Sequence, residues 1–391
     1  MVRAATPDHA APALDIKLNQ NPNAFFFPAS TISGHVTYKN HCGNADYDLR
    51  LIFVGINKVG VQDGSREAVE KAILFEYTFN LHTARKGRNH ILANSQVDTA
   101  PMTFPFKHRF PSATDNRSFS LIGKNTSDSA FSNHVHDLPP SFGAHSYDFR
   151  CSVEYSLRAE LHYDRCLLAQ HTLPVMFLPY MRPVHGTRST QSSYFDPDLS
   201  LHKTPCVLRK DSLVSQVPSP ALSVVVELPT EITVGLPFSF DVQVQLPFRP
   251  TFHDEIPTIK VVGLKMLSST QCRVLGNTSP LSSMGREQQH RKSKSILLHP
   301  SPVESAPTLD SSSNTVHYTF QATLSSYYPP SFRSFLVSTT FTFNGPLLLS
   351  IDGSSVELDV PSNNVVVLSP VIQQAGTRRF STNTTIGRHG F

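Results

Sequence analysis

From Tyr147 to Tyr163 the chain alternates apolar and polar positions: Tyr147, Phe149, Cys151, Val153, Tyr155, Leu157, Ala159, Leu161 and Tyr163 are interleaved with residues such as Ser152, Glu154, Ser156, Arg158, Glu160 and His162. A period of two sends successive side chains to opposite faces, so this segment predicts a half-buried β-strand. At about 3.3 Å per residue it would extend roughly 50 Å, which suits a long sandwich strand better than a stave of a small barrel. The same alternation returns at Phe335, Val337, Thr339, Phe341 and Phe343. Each run follows a copy of Pro-Pro-Ser-Phe, at Pro139–Phe142 and Pro329–Phe332. Proline suits a strand start because it has no N–H to give to a ladder. A duplicated leader before a duplicated pattern predicts one β-architecture used twice.

Shorter strand-like segments complete two sets. The first runs through Leu14–Leu18, Ile32–Tyr38, Leu49–Ile56, Phe75–Leu81, Met102–Phe106 and Leu173–Leu178. The second opens at Leu222, Val224, Val226 and Leu228. It continues through Phe238–Leu246, Val262–Met266, Val316–Leu324, Phe335–Phe343, Leu347–Ile351, Val356–Val360 and Val365–Leu368, with Asp352-Gly353 as a hairpin signal. Ser65–Leu74, with Glu67, Ala68, Glu70, Lys71 and Ala72, reads equally as a short helix or as the polar start of a strand. The predicted organisation is a flexible segment 1–13, a first domain 14–180, a linker 181–217, a second domain 218–370 and a disordered tail 371–391. A polar stretch at 276–314 reads as a disordered insertion in the second domain. Strands in two blocks without intervening helices predict an all-β fold of two tandem antiparallel β-sandwiches of immunoglobulin-like type.

Composition narrows the classes. A length of 391 residues exceeds one ordinary sandwich and suits two cores. Charged residues make up only 16%, against 30 prolines, 26 phenylalanines and no tryptophan, a balance that favours strands and turns over surface helices. A net charge of +4 and a pI near 8.7 fall short of a nucleic-acid binder's usual basicity, leaving weak attraction to an anionic membrane surface as the milder expectation. Five scattered cysteines without a Cys-x-x-Cys pair, and an N-terminal stretch broken by Pro7, Asp8, His9 and Pro12, point to a cytoplasmic rather than a disulfide-stapled, exported chain. No Gly-x-Ser-x-Gly elbow, reactive-cysteine signature or phosphate-cradling glycine loop occurs, so neither an enzyme nor a cofactor is expected.

The order of these segments resembles the arrestin family. In the first half the likeness is carried by Phe27-Pro28-Ala29-Ser30-Thr31-Ile32-Ser33-Gly34-His35-Val36, Leu51-Ile52-Phe53-Val54-Gly55 and Phe104-Pro105-Phe106. Its most specific part is Leu138-Pro139-Pro140-Ser141-Phe142 followed by Val153 to Leu161, so Gly34, Pro139, Pro140, Phe142 and Tyr155 serve as signature positions. Glu231–Gly235 and Glu255–Ile259 carry a looser likeness in the second half. The resemblance is greatest to alpha-arrestins of fungal type. It implies a cytoplasmic, non-catalytic adaptor that binds the cytoplasmic tails of membrane transporters or receptors and links them to endocytosis, ubiquitination or signalling, with recruitment to the plasma membrane or endosomes. Two departures stand out. Ala29 and Ser30 replace a Gly-Asp turn, and no Pro-Pro-x-Tyr occurs, so contact with a ubiquitin ligase is expected to be indirect or absent. A retromer-type sorting subunit shares the two-sandwich plan and is the alternative; an immunoglobulin-like adhesion protein is a third reading.

Candidate binding residues follow. Lys17, in the first strand, stands where phosphate-sensing arrestins carry paired lysines and is a candidate for a phosphorylated tail, against a plain solvated lysine. Arg85, Lys86 and Arg88, with His90, form one basic loop; Arg291, Lys292 and Lys294, with Arg286, form another inside the insertion. Ser293, Ser295, Ser381 and Thr382 lie beside basic residues as candidate phosphorylation sites. Leu348-Leu349-Ser350-Ile351-Asp352 matches a clathrin-binding pattern, but commitment of its apolar side chains to a core is the preferred reading. His134, His136, Asp137 and His145 cluster without the spacing of a zinc set.

Overall fold

The computed structural model describes residues 13–21, 24–39, 47–63, 66–83, 101–115, 130–132, 134–163, 165–179, 202–207, 223–246, 258–274, 288–303, 307–310, 312, 314–351 and 354–369. Among them there is no helix, and the fold is all-β, two sandwiches in tandem. In the first, strands β1 (Ala13–Leu18), β3 (Thr31–Lys39) and β6 (Met102–Arg109) make one antiparallel layer in the order β1-β3-β6. The other layer runs β2 (Phe25–Phe26), β9 (Cys166–Phe177), β8 (Phe149–Tyr163), β4 (Asp48–Asp63) and β5 (Arg66–Thr83), with β7 (Phe142–His145) pairing the start of β8.

The second sandwich has one layer in the order β10 (His202–Val207), β11 (Ser223–Leu228), β13 (Pro237–Gln245), β18 (Thr315–Thr323) and β16 (Ser301–Pro302), with β17 (Thr308–Asp310) also on β18. Its other layer runs β12 (Glu231–Thr233), β21 (Ser354–Leu368), β20 (Val337–Ile351), β14 (Ile259–Val274) and β15 (Gln288–Leu298), with β19 (Phe332–Arg333) on β20. Pairing is antiparallel except for the short β2–β9 and β12–β21 contacts, which are parallel.

The alternation in β8 does what its period dictates: Phe149, Cys151, Val153, Tyr155, Leu157, Ala159 and Leu161 are all buried, facing Phe53, Phe75, Phe110 and Phe177 in one core. Those rings interlock, with Phe53 and Phe110 edge to face at 4.8 Å and Phe110 and Phe177 stacked at 4.6 Å. A fully buried ring or branched aliphatic contributes about 1.5–3 kcal/mol relative to an exposed one, so this face sets the register of the sheet. The second core is built likewise from Val224, Val226, Val242, Val244, Phe240 and Phe320.

Several expectations are corrected. Tyr147 precedes the strand and is 96% exposed, because the ladder begins only at Phe149. Of the two readings left open for the polar stretch Ser65–Leu74, the strand start is the one that holds: Arg66 to Thr83 is one strand, held by sixteen-residue β4 through an antiparallel register from Asp63↔Arg66 to Asp48↔Thr83. The stretch 276–314 is not a disordered insertion throughout, since β15, β16 and β17 lie within it; β15 reads as polar because an edge strand can be held by its backbone ladder to β14 with most side chains in water. Within the expected linker 181–217, His202–Val207 forms β10 and pairs with β11, so the second sandwich begins earlier than the composition suggested. Val337–Phe343 and Leu347–Ile351 belong to one strand, β20, with a bulge between Phe343 and Gly345, the latter at φ 102°, and Phe335 precedes it. Ile351 faces Ser354 across β20 and β21, while Asp352 and Gly353, like residues 1–12 and the tail 370–391, lie outside the described residues.

Candidate functional site

The two Pro-Pro-Ser-Phe copies are structural counterparts. After Pro139 and Pro140, Ser141 donates its backbone N–H to Phe177 O at 2.8 Å, and its Oγ accepts the Phe177 N–H at 2.8 Å. After Pro330, Ser331 donates to Val367 O at 2.7 Å and its Oγ accepts the Val367 N–H at 3.0 Å. In each half the motif is thus stitched to a strand of the same sandwich by two reciprocal bonds, which a proline-led segment needs because proline itself donates none. In the first half the buried Tyr155 hydroxyl adds a third tie, donating to Pro139 O at 2.6 Å. The signature residues Pro139, Phe142 and Tyr155 therefore assemble at one place, and Phe142 lies opposite Val153 across β7 and β8.

The residues that follow the motifs meet each other. Phe142 and Phe332 pack edge to face with centroids 5.2 Å apart, and the first core extends without interruption onto Cys272, Val274, Phe332, Phe335, Leu336 and Val337 of the second half. At the centre of this junction the Ser334 side chain, fully buried, joins residues from distant parts of the first sandwich. Asn57 of β4 donates Nδ2–H to Ser334 Oγ at 3.0 Å, and His136 Nε2 lies 3.3 Å from the same oxygen. His136 Nδ1 sits 2.9 Å from His134 O, and a carbonyl only accepts, so Nδ1 carries the proton and Nε2 accepts from the Ser334 hydroxyl. The result is a relay from Asn57 through Ser334 to His136, reinforced by the Ser132 N–H on Ser334 O at 3.1 Å.

Arg273, on β14, is 0% exposed. Its Nε donates to Phe335 O at 2.6 Å, its backbone N–H to Leu336 O at 2.9 Å, and its guanidinium stacks 4.7 Å from the Phe131 ring centroid of the first half. A buried guanidinium is costly unless it is bonded and stacked, and these contacts hold Arg273 on the Phe335 and Leu336 carbonyls and against the Phe131 ring of the first half. Burial also sets the local electrostatics. It pushes the His136 imidazole down to about 4, keeping it neutral, and lifts the Cys151 and Cys272 thiols to about 12. Asn57 Oδ1, Ser338 Oγ and Thr339 Oγ1 are buried here with no hydrogen-bond partner among the described residues. What these contacts do is clamp two sandwiches together through a polar seam inside an apolar contact.

The residues singled out by sequence are dispersed. Lys17 is on β1, paired at the surface with Asp15 at 3.7 Å, while the Ile16 N–H donates to His171 Nδ1 at 3.0 Å and so ties β1 to β9. Exposed pairs such as Lys17–Asp15 contribute little, about 0–1 kcal/mol. Arg85, Lys86 and Arg88, Arg286, Ser381 and Thr382 lie outside the described residues. Arg291, Lys292 and Lys294 stand along β15, with Ser293 exposed between them and Ser295 exposed just after. Leu347 and Leu349 are buried in β20, and Leu348 is half-buried. Of the histidine cluster, His136 is in the junction and His134 and His145 are exposed; among the described residues no group of three or more His, Cys, Asp or Glu side chains could hold a metal ion. Gly34 sits where an added Cβ would meet Lys17 O at 2.1 Å, which explains a glycine between β1 and β6.

The junction residues Asn57, Ser334 and Arg273 were not singled out by sequence. The available signal was the stretch Phe332-Arg333-Ser334-Phe335-Leu336-Val337, apolar enough to be buried yet carrying a serine. No protein-family model matches the chain, and neither does any curated protein.

Proposed function

We propose that this chain is a non-enzymatic adaptor of arrestin type, a two-sandwich frame that holds cytoplasmic tails of membrane proteins and passes them to endocytic, ubiquitinating or signalling machinery. The observation that carries the reading is the junction: a relay through Ser334 and a fully buried Arg273 fix one sandwich on the other. An adaptor must present two surfaces at a set distance, and a clamped pair of sandwiches does so without a catalytic centre. The order of the arrestin-like segments in the chain adds to this, with Gly34, Phe142 and Tyr155 each in a structural role that explains its residue type. Ubiquitin ligase contact, in a chain without Pro-Pro-x-Tyr, runs through a third protein or does not occur.

Proximity labelling in the native cell tests the proposal. Recovery of integral membrane transporters or receptors, together with trafficking factors, is the expected outcome. Recovery of soluble metabolic enzymes alone removes the adaptor reading, and recovery of coat subunits without cargo replaces it with a sorting-complex subunit.

A further inference from the structure

β15 is an edge strand. It pairs with β14 from Leu264↔Leu298 to Val274↔Gln288 and with no other described strand, so its second row of backbone N–H and C=O groups faces outward. Between Gln288 and Leu298 there is no acid, while Arg291, Lys292 and Lys294 follow one another along the strand, all exposed. None of the three forms an ion pair with a described residue. They are nevertheless held in place: Arg291 Nε donates to Ser269 Oγ at 2.7 Å, Lys292 Nζ to His145 O of the first sandwich at 2.7 Å, and Lys294 Nζ stands 5.2 Å from the Tyr328 ring centroid.

We propose that the open edge of β15 is a docking strand for an acidic peptide in extended conformation, which adds to the sheet beyond β15. The inference rests on the adaptor reading and names the chemistry of one tail it takes. Lysines on a sheet edge also deter self-pairing, but that protective role does not require cations tethered to a serine, a carbonyl and a ring. Tethering lowers the side-chain entropy that binding must remove. Lys292 and Lys294 share a face two residues apart, about 7 Å, which is the spacing of alternate side chains on an added strand. A lipid headgroup matches the charge but makes no use of the backbone row, so the peptide is favoured over a membrane.

The test uses the full chain and a fluorescein-labelled twelve-residue peptide alternating Glu and Val, with a Lys-for-Glu counterpart as control. Anisotropy and amide hydrogen exchange of 288–298 are read together. The Glu peptide is expected to bind and the Lys peptide not to. Affinity is expected to fall at least tenfold in Arg291→Glu/Lys292→Glu/Lys294→Glu and by a smaller factor in Arg291→Gln/Lys294→Gln, which keeps the Lys292 link to His145. Exchange across β15 is expected to slow on binding. Equal binding by the charge-reversed chain, or unchanged β15 exchange at saturation, overturns the proposal. So does loss of binding to phosphatidylserine vesicles in the charge-reversed chain with no peptide effect on β15. If the charge-reversed chain labels the same membrane proteins as the native one in cells, the β15 proposal fails and the adaptor reading stands. If the peptide binds β15 while no membrane protein is ever labelled, the adaptor reading fails instead.

Discussion

Phe142 and Phe332, the last residues of the two Pro-Pro-Ser-Phe copies, touch each other across the junction with ring centroids 5.2 Å apart and planes at 67°. A repeated motif has thus been placed at the contact between the repeats. An edge-to-face pair is worth about 0.5–1.5 kcal/mol beyond its area. A double-mutant cycle of Phe142→Ala and Phe332→Ala, read by urea unfolding, is expected to show a coupling of about 1 kcal/mol. A coupling indistinguishable from zero would mean that the two rings do not meet.

Acidification should loosen the junction. Burial holds His136 down at about 4, against 6.5 for an unburied imidazole, so between these values the unfolded chain takes up a proton that the folded chain refuses. Stability from this residue is therefore complete above pH 6.5, declines as pH falls toward 4, and is level below that. The full loss is roughly 3 kcal/mol at 1.36 kcal/mol per pH unit of pKa difference. His108, whose pKa is also lowered by burial, adds in the same direction. The difference in stability between native and His136→Gln chains, measured from pH 7 to pH 4, should shrink as pH falls; a difference that is flat or widens contradicts the buried, neutral imidazole.

Thiol reactivity reports on the same contact. Cys151 on β8 and Cys272 on β14 are buried, one in each sandwich, and burial raises both to about 12, whereas Cys166 is exposed. The thiolate is the reactive form, so both buried residues are doubly protected. Pulsed iodoacetamide labelling at pH 8 with peptide mass mapping is expected to modify Cys166 within minutes and Cys151 and Cys272 only after unfolding. Rapid labelling of Cys272 in the native chain would show that the sandwiches part.

Two backbone positions should respond with opposite sign. Ala29 holds φ 61°, the left-handed region, where a Cβ costs about 1–2 kcal/mol and glycine costs only its extra unfolded-state freedom, about 0.5–1 kcal/mol. Ala29→Gly is expected to stabilise by about 0.5–1 kcal/mol. Gly34→Ala forces a Cβ against the Lys17 carbonyl and is expected to cost about 1–3 kcal/mol. Unfolding midpoints of the two variants relative to the native chain check both.

The sandwich cores were legible because a buried face imposes period two: Val153, Tyr155 and Leu157 in β8, and Val242 and Val244 in β13, are inward as the alternation requires. β15 was not, since only Ile296 and Leu298 of its side chains are buried and the rest of its hold is backbone pairing, which leaves no mark in a hydropathy pattern. The junction was hidden for a different reason. Asn57 and Ser334 are 277 positions apart and each is an ordinary polar residue locally; what makes them a pair is the docking of two finished domains. Arg273 was equally silent, a cation in a strand whose burial depends on Phe131 and Phe335 from elsewhere in the chain.

The clamp between the sandwiches is tested most directly at its centre, where Asn57 Nδ2–H donates to Ser334 Oγ at 3.0 Å and both residues are buried. A double-mutant cycle of Asn57→Ala and Ser334→Ala, read by urea unfolding of the full chain, is expected to show a coupling of about 1 kcal/mol, the ordinary net worth of a buried hydrogen bond. Strictly additive effects of the two substitutions, in variants that fold, would contradict the clamped junction.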